Sequence, residues 1–159
     1  VRIDGIELSY RQSLEAFIPW AKGVRVFGTA TALDISGPAE ANFATYSPKT
    51  ASWGVSYSRG RFSGNVIWSY LGLKKGSGVG GVNATTPPET YRWFPARTDV
   101  KANFTFRLYK NISLFGTGNN LTNKTLLTYR YAPVTPDYAK GFRFQDHGVD
   151  FTFGIKGEF

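Results

Sequence analysis

One stretch of the chain alternates between polar and apolar residues without an error, and this feature constrains the fold more than any other. From Arg97 to Leu108 the odd-numbered residues are polar or charged, and the even-numbered ones are apolar or, at Thr98, neutral. Successive side chains of a β-strand point to opposite faces, so the pattern predicts a strand with one wet and one apolar side. The predicted strand has about twice the five or six residues usual in globular proteins.

Further segments show the same period of two with less regularity, and the links between them alternate in length. The additional predicted strands lie within residues 6–11, 24–34, 52–58, 62–70, 112–123 and 149–159. Residues 59–61 and 109–111 are tight turns and residues 14–23 a moderate link, whereas residues 35–46, 72–94 and 124–146 are long. Short turns at one end and long loops at the other are typical of transmembrane β-barrels. We therefore predict an all-β fold, an antiparallel transmembrane β-barrel meander of about seven strands.

The composition excludes several other classes of function. The 159 residues include no cysteine and a single histidine, which argues against a disulfide scaffold, a thiolate zinc site and a cysteine nucleophile. The net charge of +8 invites a nucleic-acid interpretation. The basic residues are spread over strands and loops instead of forming one patch, so we predict no nucleic-acid partner. We also predict no cofactor, no metal site and no enzymatic activity.

Three short motifs resemble those of TonB-dependent outer-membrane receptors. Residues 152–159 resemble the terminal assembly signal of outer-membrane barrels, with Thr152, Gly154 and the final Phe159 as its matching positions, although Gly157 stands where the family has a bulky apolar residue. Residues 119–124 look like the asparagine-leucine box that precedes the last extracellular loop. Residues 5–8 resemble a glycine-acid strand motif found several strands upstream in the same barrels.

The resemblance implies a function and a set of partners. Such receptors have about 22 strands around a plugged lumen, so residues 1–159 are expected to form a partial C-terminal barrel domain without the N-terminal plug and the earlier strands. The whole protein would be an energy-coupled importer of a scarce nutrient, such as a ferric siderophore, in the bacterial outer membrane. Its implied partners are the lipid bilayer and lipopolysaccharide, the barrel-assembly machinery, and an inner-membrane energy-coupling complex acting through the plug.

Basic residues on the long loops are the candidate contacts to an anionic ligand such as a ferric chelate. They are Lys74, Lys75, Arg92, Arg130 and Arg143. A second basic group, Arg97, Lys101 and Arg107, lies on the wet side of the clearest strand and is expected to face a hydrated lumen.

Other interpretations are weaker. Residues 76–81 fit a dinucleotide-binding glycine pattern, but the proline-containing segment that follows cannot open the required helix. Asp146 and His147, with Asp150 nearby, could form an acid–base pair, but no partner acid or nucleophile can be placed from the sequence. A small complete outer-membrane barrel, acting as an adhesin or rim enzyme, remains an alternative. So does a soluble sugar-binding β-sandwich, in which residues 104–106 would meet residues 151–153 across a core.

Overall fold

The structure, a computed structural model, describes residues 2–37, 46–79 and 86–157. Seven of the strands in these residues form one antiparallel main sheet, in the spatial order β1-β2-β3-β4-β7-β8-β11. They are β1 (Arg2–Ser13), β2 (Val24–Ser36), β3 (Lys49–Arg59), β4 (Phe62–Leu71), β7 (Arg97–Tyr109), β8 (Ile112–Asn119) and β11 (Asp150–Gly157). The predicted all-β meander of seven long strands is therefore confirmed. No helix in the described residues is long and apolar enough to cross a membrane.

The register of the main sheet places the predicted apolar side chains on one face. Phe104 pairs with Gly64 of β4 and Gly116 of β8, and Gly116 pairs in turn with Phe153 of β11. The same face, called the apolar face below, carries Ile6, Leu8, Tyr10, Val24, Val26, Trp53, Val55, Tyr57, Phe62, Val66, Trp68, Tyr70, Val100, Ala102, Phe106, Phe151 and Ile155. Most of its large residues are exposed, from Tyr57 at 37% to Ile155 at 69%. Val24, Val26, Val66, Trp68 and Tyr70 are half-buried, and Val100 is buried.

Aromatic rings form a row across this face. Tyr57, Phe62, Phe104, Phe153 and Phe151 follow one another with ring centroids 5.9, 6.4, 6.4 and 6.2 Å apart. Glycines beneath them make the row possible, since a Cβ on Gly116 would lie 2.4 Å from the Phe104 ring. Phe104 and Phe153 are thus neighbours on one sheet. The β-sandwich alternative, in which they meet across a core, is wrong for the described residues.

The opposite face of the main sheet, called the polar face below, is mostly polar, although it also carries Phe27, Ile67 and Phe115. Asn103 Nδ2 donates a hydrogen bond to Asn65 Oδ1 at 2.7 Å, and Asn119 Nδ2 donates one to Asp150 Oδ2 at 3.1 Å. The face also carries Lys101 and Arg107, as the alternation predicts.

Two of the long links are not irregular loops, which corrects the sequence prediction. Residues 72–94 contain β5 (Lys74–Gly78) and β6 (Tyr91–Phe94), and residues 124–146 contain β9 (Leu126–Tyr131) and β10 (Gly141–Gln145). These four strands form a second antiparallel sheet in the order β10-β9-β6-β5, the extension sheet. The link at residues 35–46 lies mostly outside the described residues.

The extension sheet continues four strands of the main sheet beyond a break. β5 follows β4, β6 precedes β7, β9 follows β8 and β10 precedes β11, so both sheets keep the same neighbours. The breaks occur at residues 72–73, 95–96, 120–125 and 146–149. They include a proline, Pro95, which cannot donate to a ladder, and three residues with positive φ: Asn120, Asn123 and Gly148. The extension sheet therefore continues these strands beyond the apolar face at one end of the main sheet, and the tight turns lie at the other end.

Candidate anion-binding site

Two arginines of the extension sheet lie directly opposite each other. Arg92 of β6 pairs with Arg130 of β9, so both side chains leave the same face of the sheet. Like charges directly opposite one another in a sheet are destabilising. The sequence places both on separate loops, and only the non-local pairing of β6 with β9 brings them together.

A third arginine joins them around a phenylalanine. The register of β10 shifts between Gly141 and Arg143, and Phe142 is the residue at this irregularity. The guanidinium carbons of Arg92, Arg130 and Arg143 lie 5.9, 5.7 and 5.8 Å from the centre of the Phe142 ring. These three residues are the arginine cluster. Because all three guanidinium carbons lie within 5.9 Å of the same ring centre, no two of them are farther apart than twice that distance.

The arginine cluster has the chemistry of an anion site. No carboxylate of the described residues lies within 4 Å of any of the three guanidinium groups. The Phe142 ring offsets part of their repulsion through cation–π contacts. Guanidinium groups present paired N–H donors that match the geometry of carboxylates and phosphates. An anion bound among them would relieve the remaining repulsion.

The other side of the extension sheet is aromatic. Tyr91, Trp93 and Tyr131 share this face, and the rings of Trp93 and Tyr131 stack with centroids 5.3 Å apart. Lys75 Nζ lies 3.6 Å from the centre of the Tyr91 ring, and Lys140 Nζ lies 5.0 Å from that of Tyr131. Lys75 is thus separated from the arginine cluster by the thickness of the sheet.

Lys140 is held in place by an acidic neighbour. Its Nζ donates a hydrogen bond to Asp137 Oδ1 at 2.5 Å. This hydrogen bond lowers the pKa of Asp137 and raises the pKa of Lys140. Lys140 is therefore a paired cation, unlike the three arginines.

Lys74 lies in a third place. Its Nζ is 5.8 Å from the centre of the Phe94 ring, and the side chain lines a cavity of about 720 Å³ where the two sheets meet. The five predicted ligand contacts are thus not one site: three form the arginine cluster, Lys75 is on the aromatic face and Lys74 is at the junction.

The sequence analysis did not identify Phe142 as a neighbour of the arginines. The alternating Phe142-Arg143-Phe144 was the available signal for it.

The asparagine-leucine box closes a loop. Asn120 Oδ1 accepts a hydrogen bond from the Lys124 amide at 2.8 Å, and Asn120 Nδ2 donates to the carbonyl oxygens of Lys124 and Gly148 at 3.3 and 2.8 Å. One side chain therefore joins the end of β8 to the start of β11. Leu121 folds back over the main sheet, where its amide donates to the Val100 carbonyl at 3.0 Å.

Two of the three predicted assembly-signal residues lie on β11, and the third is outside the described residues. Thr152 and Gly154 are on the polar face, where Thr152 pairs with Thr117 and Gly154 with Phe115. A Cβ on Gly154 would lie 2.7 Å from the Phe115 ring, so the glycine leaves room for that ring. Phe159 is the predicted signal residue that lies outside the described residues.

The weaker motifs show no catalytic arrangement. Gly76 and Gly78 belong to β5, and Gly80 and Gly81 lie outside the described residues. Asp146 Oδ1 accepts the Gly148 amide at 3.0 Å, which is a local turn contact. Within residues 2–37, 46–79 and 86–157, no three acidic or histidine side chains come close enough to hold a metal ion.

Comparison with known proteins gives a likeness in fold. No protein-family model matches the chain, and no curated protein matches its sequence. Among solved structures, the ferric citrate transporter FecA in its unliganded form aligns with 97% of this chain at a TM-score of 0.68 and 14% identity. The siderophore receptor PiuA from Acinetobacter baumannii aligns with 98% of it at a TM-score of 0.60 and 17% identity.

The chain spans only a part of each of these proteins. It covers 24% of the FecA chain and 21% of the PiuA chain. The fold described above is therefore similar to that of a part of a known transporter and of a known receptor.

Proposed function

We propose that this chain forms part of the wall of a TonB-dependent outer-membrane receptor, and that the arginine cluster contacts an anionic nutrient such as a ferric chelate. The observation that carries the ligand proposal is the grouping of Arg92, Arg130 and Arg143 around Phe142 without a neighbouring carboxylate. The likeness in fold to a ferric citrate transporter and a siderophore receptor supports it.

The dimensions of the apolar face support the membrane part of the proposal. The outward residues of β4 run from Phe62 to Tyr70, a span of nine residues. A transmembrane β-strand at its usual tilt needs about 9–11 residues to cross the apolar part of a bilayer. A soluble protein rarely leaves so large a continuous apolar surface uncovered.

The polarity of the two ends supports an orientation. In this proposal the extension sheet faces the cell exterior and the turns at residues 59–62 and 109–112 face the periplasm. Exposed aromatic residues Tyr10, Trp20 and Tyr109 lie at the turn end, where an interfacial girdle is expected. The barrel-assembly machinery, and an energy-coupling complex acting through a plug, are the partners that this function requires.

A binding measurement tests the ligand proposal. Ferric citrate serves as the anionic probe and a neutral ferric hydroxamate as the uncharged comparison, with binding followed by the change in tryptophan fluorescence. Arg92→Gln and Arg143→Gln should each weaken ferric citrate binding about tenfold or more, because hydrogen bonds to charged groups contribute about 1.5–3 kcal/mol. Arg107→Gln, on the polar face near the turn end, is the matched control and should leave binding unchanged.

Two results would count against the arginine cluster as the ligand site. One is equal binding of the neutral and anionic chelates by the unmodified protein. The other is an equal effect of Arg107→Gln and Arg92→Gln. Raising the salt concentration should also weaken binding, because dissolved ions screen the attraction between exposed charges, with a Debye length of about 10 Å at 0.1 M salt.

A further inference from the structure

The cavity at the junction of the two sheets, the junction cavity, combines apolar and cationic walls. Its volume is about 720 Å³. Tyr70 and Thr98, which pair between β4 and β7 and belong to the apolar face, line one side. Lys74 and Lys124 also line it, and Arg97 borders it from the polar face. The cavity therefore begins where the apolar face ends.

The cationic side of the junction cavity is incompletely neutralised. Arg97 belongs to the polar face, where its Nε lies 3.3 Å from Asp99 Oδ2, so the cations that remain for an occupant on the apolar side are Lys74 and Lys124. Among the described residues, Lys74 and Lys124 have no carboxylate within 4 Å. The Asn120 side chain hydrogen-bonds to the backbone of Lys124 and so fixes the position from which the Lys124 side chain extends.

The charge and the position together specify an occupant. We propose that the junction cavity binds the phosphate headgroup of a membrane lipid, whose acyl chain continues along the apolar face past Tyr70. Basic pockets at the level of lipid headgroups bind anionic lipids in other membrane proteins. This inference rests on the proposed function in one respect, namely that the apolar face lies in a bilayer. The site is separate from the arginine cluster, because the Phe142 ring and its three arginines do not line the cavity.

A lipid-binding measurement tests this proposal. The protein is inserted into phosphatidylcholine vesicles, and binding of a fluorescent long-chain phosphatidic acid is titrated. Each basic residue near a membrane surface contributes about fivefold in affinity for an anionic lipid. Lys74→Gln combined with Lys124→Gln should therefore weaken binding about 25-fold. The matched double variant Lys22→Gln with Lys110→Gln makes the same charge change at the turn end and should leave affinity within about twofold.

The controls separate this proposal from the proposed function. If unmodified protein inserts into vesicles but the two double variants bind the lipid alike, the lipid site is refuted and the membrane wall stands. If the protein does not insert at all, the membrane wall fails, and this inference fails with it. Competition by glycerol 3-phosphate as strong as that by the long-chain lipid would show a free-anion site and refute the lipid assignment.

Discussion

Replacing Phe104 with arginine tests which side of the main sheet contacts lipid. Phe104 lies between Ala102 and Phe106 in the series of outward residues of β7. It is 38% exposed in the isolated sheet, so its outer surface has no protein partner among the described residues. The next residue, Asn103, points to the polar face and offers a matched control on the same strand.

The expected loss of stability follows from two contributions. An arginine on the lipid face near the bilayer midplane costs about 2–4 kcal/mol. The Phe104 ring also has aromatic neighbours at 6.4 Å in both Phe62 and Phe153, and each such pair contributes about 0.5–1.5 kcal/mol. Phe104→Arg should therefore lower the free energy of unfolding by about 3 kcal/mol or more. Asn103→Arg loses one hydrogen bond to Asn65, which is worth about 1 kcal/mol.

The assay is reversible unfolding from lipid vesicles, followed by tryptophan fluorescence. Trp53 and Trp68 lie on the apolar face and report its transfer from lipid to water. The variant that loses more unfolding free energy identifies the face that contacts lipid, and we expect this to be Phe104→Arg. Equal losses, or a greater loss for Asn103→Arg, would show that the apolar face is not the lipid face.

Three other changes probe separate parts of the wall. Asn120→Ala should make the links around residues 120–125 and 146–149 more sensitive to protease, because it removes three hydrogen bonds, whereas Asn123→Ala should have a smaller effect; equal sensitivity would refute the clamp. Gly154→Val should destabilise the folded protein by about 1–3 kcal/mol through overpacking against Phe115, and Phe115→Ala should restore part of the loss in the same unfolding assay. Deleting Phe159 should lower outer-membrane abundance more than the stability of folded protein, and unchanged abundance would refute the assembly signal.

The main sheet was predictable because one of its faces is apolar. Alternation such as that from Arg97 to Leu108 identifies a strand and both of its faces without any knowledge of its neighbours. The tight turns then fix which strands pair. The aromatic row could not be read in advance, because it depends on the register that places Phe104 over Gly116.

The extension sheet was missed for a physical reason. Its strands mix cations with aromatic residues, as in Tyr91-Arg92-Trp93, so no apolar–polar alternation marks them. β5 is also rich in glycine, which resembles a loop in composition. The basic residues could be named as candidates from the sequence, but their grouping depends on β6 pairing with β9 and on the irregularity at Phe142, neither of which is encoded locally.

Accessibility of spin labels along β7 tests the central claim most directly. The chain has no cysteine, so single cysteines can be introduced at residues 101–108 and labelled in vesicle-inserted protein without other substitutions. Collisions with oxygen, which concentrates in lipid, and with a water-soluble nickel complex are then measured at each position. The proposed wall predicts a period of two, with oxygen favoured at Phe104 and Phe106 and nickel favoured at Asn103 and Thr105. Equal nickel accessibility at all four positions would contradict a lipid-facing apolar side and, with it, the proposal that this chain is part of a membrane barrel.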